Sequence, residues 1–461
     1  MARNIIQWFL TEINEHDFRS LHFKQTIIWS IIIGLIGGVT VSGYLYIMDG
    51  LVHAVWHSGK YLVYGILPHW LQSMNPVWII TLIGGFCVGI TIKIFGKCGE
   101  ISTVVNNINM KKGRIDINQT PAMTATSLVS IAFGGSAGPE APLVQIVGSF
   151  ASRFGEKLKL NSNQIRTFTF CGMGAALSAL FGSPVGGAIF ALEVPHQRGL
   201  EYYEAILPTI TSSIVSFGVC RLILGYNGRL IKFLHLPAFS MPNLIWSVFI
   251  GVLGAFAATL FVFIFRSIEK FSTVFRNHYM LLAMSGGLGI GLLQKILPKN
   301  FPITSLFWGE MQLNTIVHSR NIISQHYGIL IGVGLLLLLA IIKMTAVGFT
   351  LHSGFRGGFI FPMFFIGGVL GLGLSLFTHF SVPIAVSILG MMAAVNVAVT
   401  KTPVSTSIIL LALSGISMLP MIVTASMVSF LLTTKITLIR SQRHRQTNIP
   451  EDEEEPELAE V

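Results

Sequence analysis

The chain has 461 residues, of which 52% are hydrophobic and only 11% are charged. A soluble domain usually carries about 25% charged residues, and a water-soluble fold of this composition would expose large apolar patches. The composition therefore disfavours a soluble enzyme, a nucleic-acid-binding protein and a disordered protein. It favours a polytopic membrane protein with many helices of about 20 residues each.

The distribution of charge predicts the location of the chain ends. The formal net charge is +10, although residues 451–461 hold seven of the 20 acidic side chains. Basic residues precede the first apolar segment and follow the last one, which places both termini in the cytoplasm by the positive-inside rule. We therefore predict a cytoplasmic N-terminal segment over 1–25 and an acidic, disordered cytoplasmic tail over 447–461.

Runs without charged residues mark the predicted membrane helices in chain order, at 26–48, 76–92, 167–192, 242–265, 321–342, 357–400 and 402–434. The last two runs are too long for a single span, so each is predicted to hold more than one helix. Weaker apolar segments lie near 122–158, 205–224 and 280–297. The chain is therefore predicted to be an all-α polytopic membrane protein.

The sequence offers no signature of a metal site or of enzyme chemistry. The cysteines form no Cys-x-x-Cys pair and no Cys/His spacing typical of a metal site; they are Cys87, Cys98, Cys171 and Cys220. We predict no disulfide, no metal and no cofactor. Because the chain has no Ser/His/Asp grouping, HExxH motif or phosphate-binding loop, we do not expect an enzyme.

Two matches between the halves of the chain predict an internal repeat. The segments 138–142 and 358–362 share the pattern Gly-x-x-x-Pro. In the same order, 173–184 and 392–403 share a Met, small residues after it, and a Pro at the same distance. Two unrelated Gly/Pro kinks are the alternative. Duplicated halves of transporters often have inverted topology, with the ion site at their interface. The predicted repeats cover 26–225 and 226–446.

The first segment that could carry chemistry is 134–149, GGSAGPEAPLVQIVGS, in which Glu140 lies where a Gly/Ser-rich turn opens into an apolar helix. The N–H groups of a first helical turn have no partner within the helix, so they form an anion site. In a soluble protein, a carboxylate there is usually a simple helix cap. Because an ionisable side chain at membrane depth is costly, we predict that Glu140 is a gate, which an anion displaces or a proton neutralises.

The repeat partner of this segment is 353–368, SGFRGGFIFPMFFIGG. Its glycines leave backbone N–H groups accessible. Such groups suit a permeant anion because they compensate for dehydration without a full positive charge that would hold the ion too tightly. A helix cap with apolar lipid contacts is the alternative.

Four further charged side chains lie in or beside apolar sequence. Glu193 ends a charge-free run and is predicted to lie near the cytoplasmic mouth, as a structural cap, as a surface acid, or with a direct part in transport. Lys343, Arg356 and Lys401 could each extend to the membrane interface. They could also make the pathway electropositive, and we assign this role to Arg356 alone because it flanks the glycine-rich segment.

At these segments the chain resembles the CLC family of chloride channels and transporters. GPEAPLVQIVG resembles the family's GREGPxVQIG segment, and SGFRGGFIFP resembles its SGxxGGxFxP segment. The small-residue helices at 172–193 and 390–414 resemble those that follow each segment, and the resemblance covers about residues 25 to 440. It implies a homodimer in which each subunit has its own anion pathway and about 18 mostly short, tilted helices in inverted repeats.

The resemblance also implies roles for individual residues. Glu140 matches the family's gating glutamate, which blocks the pathway when ionised and opens it when protonated or displaced by an anion. The N–H groups of Ile360 and Phe361 would help to hold the anion, with Gly358 and Phe359 forming the turn. The candidate anion-binding residues are therefore Gly138, Gly358, Phe359, Ile360 and Phe361.

Three positions depart from the family pattern. The family's GSGIP segment, whose serine contacts the anion, has only a loose match at 96–103, around Gly99. Ile439 stands where the family has the tyrosine that closes the inner gate, and Val194 stands where many exchangers have the inner proton-relay glutamate. Glu193 is the candidate for that relay, although neighbouring helical positions are about 100° apart.

These residues predict a transporter of chloride and similar monovalent anions in a bacterial inner membrane. The paired regulatory domains of many eukaryotic members are not found, which favours a bacterial-type protein, and Pro142 favours the chloride branch over the fluoride-exporting branch by resemblance. Ile439 and Val194 favour channel-like or weakly coupled conduction, and chloride/proton antiport through an unconventional inner relay is the alternative. The expected partners are chloride, protons, the lipid bilayer and a second copy of the chain, without nucleic acid.

A rival from another class is a cation-coupled transporter of an organic substrate, which broken helices and repeats would suit equally. Such a substrate needs several convergent polar side chains. The two glycine-rich segments offer mainly backbone and apolar residues, and they therefore favour an inorganic anion.

Overall fold

The computed structural model describes residues 23–59, 65, 77–96, 99, 113–196, 202–225, 231, 233, 236–275, 278–379, 381–436, 438–439 and 442. Over these residues the chain forms fourteen α-helices and no β-strand, which confirms the predicted all-α class. The helices are α1 (Phe23–His53), α2 (Val77–Phe95), α3 (Thr120–Ala132), α4 (Glu140–Lys157), α5 (Ser162–Phe181), α6 (Pro184–Glu193), α7 (Ile206–Leu224), α8 (Met241–Thr273), α9 (Tyr279–Gln294), α10 (Leu313–His352), α11 (Ile360–Phe377), α12 (Ile384–Thr400), α13 (Pro403–Ser414) and α14 (Leu419–Leu432).

Proline and glycine set many of the helix ends. Proline occupies one of the first two positions of α3, α6, α8, α13 and α14, where its missing N–H costs no intrahelical hydrogen bond. Gly182 and Gly225 end α5 and α7 in the left-handed conformation, which glycine adopts without strain. Gly328, with φ 71° and ψ 172°, interrupts α10. This helix therefore consists of two helices that meet at a kink.

The two longest charge-free runs each hold two helices, as predicted. The run 357–400 contains α11 and α12, and the run 402–434 contains α13 and α14. The run 167–192 is also broken, which was not predicted. It divides into the end of α5 and the whole of α6, because Gly182 is left-handed at φ 65° and Pro184 starts the next helix.

The lengths of the helices suit an integral membrane protein with broken spans. Among the described residues, six helical segments are long and apolar enough to cross a membrane. Five others, α6, α9, α12, α13 and α14, are apolar but have only 10 to 17 residues. Short helices at membrane depth are tolerated where their ends line a pathway or are buried in protein. Large apolar side chains such as Leu222, Phe256 and Leu330 are exposed on the outside, as expected of a surface that faces lipid.

The packing of the helices is duplicated between the two halves of the chain. Helix α4 packs on α5 as α11 packs on α12, and α1 packs on α7 as α8 packs on α14. Helix α2 contacts α3 just as α9 contacts α10. This correspondence supports the predicted repeats. Their boundary between 225 and 226 stays a prediction, since 226–230 lie outside the described residues.

Candidate functional site

The starts of α4 and α11 meet in the interior of the protein. Gly138 and Gly358, which precede these two helices, form an isolated antiparallel bridge. The N–H of Gly138 donates to the carbonyl oxygen of Gly358 at 2.8 Å, and the N–H of Gly358 donates to the carbonyl oxygen of Gly138 at 2.6 Å. An antiparallel pair that exchanges both hydrogen bonds has local two-fold geometry. The matched glycines of the two repeats are therefore related as inverted repeats require.

This bridge corrects the prediction for Gly138 and Gly358. Their N–H groups were expected to bind an anion, but each is already used by the carbonyl oxygen of the other glycine. The two helix starts approach so closely that their backbones pair, and a paired N–H has little to offer an anion. The glycines instead make room for the neighbouring carboxylate. A Cβ atom added to Gly138 would lie 2.2 Å from Oε2 of Glu140, and a Cβ atom added to Gly358 would lie 2.3 Å from the same oxygen.

The carboxylate of Glu140 lies at the N-terminus of α11. The side chain is fully buried, and its Oε1 accepts a hydrogen bond from the N–H of Phe361 at 2.7 Å. Its Oε2 has no hydrogen-bond donor among the described residues. Glu140 begins its own helix, as the sequence predicted, and its carboxylate in addition reaches the helix start of the other repeat. Because a helix N-terminus stabilises negative charge, the carboxylate stands where an anion would bind. We use the name anion site for this candidate site, formed by Gly138, Glu140, Gly358 and Phe361; its glycines make room for the carboxylate, and Phe361 supplies the donor.

Two further predicted donors border the anion site. The N–H groups of Phe359 and Ile360 precede that of Phe361, and neither donates to any acceptor among the described residues. Both side chains are buried, so these residues present backbone, and not side-chain polarity, to the site. The first N–H groups of a helix are those that lack an intrahelical acceptor. The structure thus keeps Phe359, Ile360 and Phe361 as candidate donors.

Aromatic side chains enclose the anion site. The ring of Phe361 lies 4.7 Å from that of Trp308, 5.3 Å from that of Phe181 and 6.1 Å from that of Phe364, measured between ring centroids. Within this shell, hydrogen bonds to an anion are stronger than in water because the local dielectric is low. The sequence analysis missed Trp308 and Phe181, since nothing in the linear sequence places them near Phe361.

Comparison with known proteins identifies the family. The family model described as "Voltage gated chloride channel" matches residues 83–434. The chain belongs to this family. The match covers the anion site and Glu193, and it confirms the resemblance that the glycine-rich segments indicated. As a member of the voltage-gated chloride channel family, the chain is an integral membrane protein for anion transport.

Individual relatives and solved structures agree with this assignment. A "Chloride/fluoride channel protein" of Pseudomonas syringae pv. tomato is 26% identical over 424 residues, which cover 88% of each chain. A slow cyanobacterial Cl-/H+ antiporter has a TM-score of 0.74 at 19% identity and covers 90% of this chain and 96% of its own. A CLC-type fluoride/proton antiporter has a TM-score of 0.71 at 20% identity and covers 92% of this chain and all of its own. The two structures show that the fold is shared.

A second buried carboxylate, that of Glu193, lies at the start of α13. It is 3% exposed, so the alternative of a surface acid is wrong. Its oxygens accept hydrogen bonds from the N–H of Val404 at 3.1 Å, the N–H of Ser405 at 2.9 Å and the hydroxyl of Ser405 at 2.5 Å. These contacts make Glu193 a cap of a helix in the other repeat. A role in proton relay stays a prediction, and the neighbouring Val194 is buried as well.

The family match ends at residue 434, shortly before the segment that holds Ile439. The side chain of Ile439 is buried.

Gln442 follows shortly after this residue. The amide nitrogen of its side chain donates to the carbonyl oxygen of Val194 at 2.8 Å and to that of Thr400 at 2.7 Å. Gln442 therefore holds the end of the described chain against the C-terminal ends of α6 and α12. The sequence analysis did not identify Gln442.

Gly99 and Arg356 were predicted to lie near the anion pathway, and this remains a prediction for both residues. The N–H of Gly99 donates to the side-chain oxygen of Gln119 at 3.3 Å, so it is engaged at the start of α3. Most of the surrounding segment 96–103, which holds the loose match to the family's GSGIP segment, lies outside the described residues. Arg356 lies half-buried in the turn before α11. Its effect on the electrostatic potential of the pathway stays a prediction.

The two lysines of the apolar segments do not extend to the membrane interface. Lys343 is 0% exposed and Lys401 is 2% exposed. The ammonium of Lys401 donates to the carbonyl oxygens of Ala398 and Thr433, which ties the end of α12 to the end of α14. The interface alternative is therefore wrong for both residues, because each ammonium finds its hydrogen bonds inside the protein.

Proposed function

We propose that the protein carries chloride, and similar monovalent anions, across a bacterial plasma membrane through a pathway gated by Glu140. The observation that carries this proposal is the hydrogen bond from the N–H of Phe361 to the buried carboxylate of Glu140. The carboxylate uses a helix N-terminus in the way that a free anion would use it. An anion and the carboxylate therefore compete for one place, and that competition is the gate.

The chemistry of the anion site suits a permeant anion. Backbone N–H groups replace part of the hydration shell, yet the described residues add no ammonium or guanidinium in direct contact with the Glu140 carboxylate. Binding of this kind is favourable enough for the anion to enter and weak enough for it to leave. Among anions we favour chloride because the position of Pro142 resembles the chloride branch, while one relative carries both chloride and fluoride in its name.

We propose conduction without tight proton coupling, because Val194 cannot carry a proton and Ile439 offers no hydroxyl to a passing anion. The second candidate is chloride/proton antiport, which is favoured by the similarity to a Cl-/H+ antiporter and to a fluoride/proton antiporter. In that case Glu193 would receive protons on the cytoplasmic side, since it is a buried carboxylate at an interface between the repeats. We further propose that two copies assemble as a dimer, that both termini are cytoplasmic, and that the protein is not an enzyme.

Proteoliposomes distinguish the two modes. Purified protein is reconstituted, and chloride efflux and proton movement are recorded together under an outward chloride gradient without an imposed pH gradient. We expect chloride efflux to begin when a potassium ionophore cancels the membrane potential that opposes it. We expect no uphill proton movement. Uphill proton movement that Glu140→Ala abolishes would establish the second candidate and contradict the first. Absence of any anion flux from correctly folded protein would contradict both.

A further inference from the structure

Lys343 lies in the second half of α10, after the kink at Gly328. Its side chain is fully buried, although a buried ammonium is costly unless its hydrogen bonds are satisfied. The ammonium donates to the carbonyl oxygen of Ser305 at 3.0 Å and to that of Phe307 at 2.5 Å. It also lies 4.8 Å from the centroid of the Phe365 ring, where the face of the ring attracts a cation.

The positive charge of Lys343 has no carboxylate partner within the described part of the chain. The ion pairs that join Arg114 and Arg153 to Glu156 lie near the end of α4 and do not involve Lys343. Two carbonyl oxygens and the face of an aromatic ring suit an ammonium, and none of them contributes a formal negative charge. A charge buried among apolar side chains is weakly screened, so it acts over a longer distance than a surface lysine would.

The carbonyl groups that Lys343 holds belong to a segment that lies against the anion site. We call 303–309 the bracing segment. The hydroxyl of Ser136 donates to the carbonyl oxygen of Ser305 at 3.3 Å, and the N–H of Phe307 donates to the carbonyl oxygen of Gly134 at 3.3 Å. These contacts join the bracing segment to the turn that leads to Glu140.

The bracing segment also contacts the second half of the anion site. The ring of Trp308 packs edge-on against that of Phe361, whose N–H holds the gating carboxylate. Gly309 adopts a left-handed conformation, with φ 95°, where it packs against Phe365. One helical turn, about 5.4 Å along the axis, separates Phe365 from Phe361. The ammonium of Lys343 is therefore linked, through Phe365, to the helix that carries the donor an anion would use.

We propose that Lys343 is a positioning residue of the anion pathway: it holds the bracing segment against the anion site, and its uncompensated charge strengthens anion binding at the N-terminus of α11. This inference rests on the proposed anion transport and adds a residue that determines its affinity. At an effective dielectric constant of about 20, a single charge in a protein interior changes the affinity of a nearby anion by about tenfold.

The test measures chloride binding by titration calorimetry on the full chain in detergent, in a Glu140→Gln background that removes the competing carboxylate. Lys343→Met keeps the length of the side chain and removes the charge. We expect the dissociation constant for chloride to rise about tenfold, and Lys343→Arg to keep it within about threefold of the parent. Chloride binding by Lys343→Met as tight as that of the parent would overturn the proposal.

Lys401→Met is the matched control, because Lys401 is equally buried and also donates to two carbonyl oxygens, but those oxygens belong to the ends of α12 and α14. We expect this variant to lower the melting temperature while the dissociation constant for chloride stays within about twofold. An equal loss of chloride affinity in both variants would reduce the role of Lys343 to general stability and contradict the proposal.

If Lys343→Met does not give folded, monodisperse protein, Trp308→Ala tests the same contact from the bracing segment. We expect it to weaken chloride binding at least threefold, and unchanged binding would contradict the positioning role. Chloride binding by the Glu140→Gln parent distinguishes a failure of this inference from a failure of the proposed function. No chloride binding in the Glu140→Gln parent would contradict the proposed function, whereas binding that the Lys343 and Trp308 variants leave unchanged would contradict only the role of Lys343.

Discussion

Glu140→Gln is expected to raise anion flux at neutral pH by about tenfold and to abolish the increase of flux on acidification. The carboxylate accepts a hydrogen bond from Phe361 in a buried site, and hydrogen bonds to charged groups contribute roughly 1.5–3 kcal/mol. A neutral amide binds the helix N-terminus more weakly, so an anion displaces it more readily. In the native protein, acid should neutralise the carboxylate and have the same effect. The variant has an amide at this position, which acid does not protonate, so its flux should not change with pH.

Chloride efflux from proteoliposomes between pH 4.5 and 8 measures this effect. Glu193→Gln is the matched control, because Glu193 is also a buried carboxylate that accepts hydrogen bonds at a helix start, namely that of α13. We expect the control to lose stability and to retain the rise of flux at low pH. A pH response in Glu140→Gln equal to that of the native protein would show that Glu140 is not the gate.

Gly358→Ala is expected to reduce anion flux at least tenfold, even in a Glu140→Gln background. A Cβ atom at this position would lie 2.3 Å from Oε2 and 3.0 Å from Cβ of Glu140. The carboxylate can move aside, but the Cβ of Glu140 is fixed to the backbone of α4. The methyl group must therefore separate the two helix starts and weaken their paired hydrogen bonds, and overpacking of this kind costs about 1–3 kcal/mol.

The matched control for this change is Gly373→Ala in the same helix. There the nearest atom to the new Cβ is 3.8 Å away, in Leu336, which is ordinary van der Waals contact. Since alanine favours a helix over glycine by about 1 kcal/mol, the control should be as active as the native protein and slightly more stable. Native flux through Gly358→Ala would contradict the close approach of the two helix starts.

The sequence predicted an important role for Glu140 in a helix start, but it did not predict the hydrogen-bond partner of its carboxylate. Glu140 is the one acid in a glycine-rich segment at membrane depth, and the repeat pointed to 353–368 as the matching segment. The hydrogen bond between Glu140 and Phe361 joins residues that are far apart in the chain. Only the tertiary pairing of Gly138 with Gly358 brings them together, and this same pairing removes the two N–H groups that the sequence analysis had offered to the anion.

Buried lysines illustrate a second limit of sequence reasoning. A lysine in an apolar run is compatible with extension to the interface, and sequence alone gives no reason to prefer a buried position. For Lys343 the deciding features are the carbonyl oxygens of Ser305 and Phe307, which lie in an irregular segment with no periodic pattern. By contrast, the break of the run 357–400 into two helices followed from its length alone.

The most direct test of the central claim is to locate a bromide ion in Glu140→Gln by anomalous scattering from crystals grown in bromide. We expect an anomalous peak at the place that the Glu140 carboxylate occupies in the native protein, within hydrogen-bonding distance of the N–H of Phe361. Native protein at neutral pH should show a weaker peak or none at this place, because its own carboxylate fills it. Bromide bound elsewhere in the variant, with the N-terminus of α11 vacant, would show that the carboxylate and a permeant anion do not compete for this place.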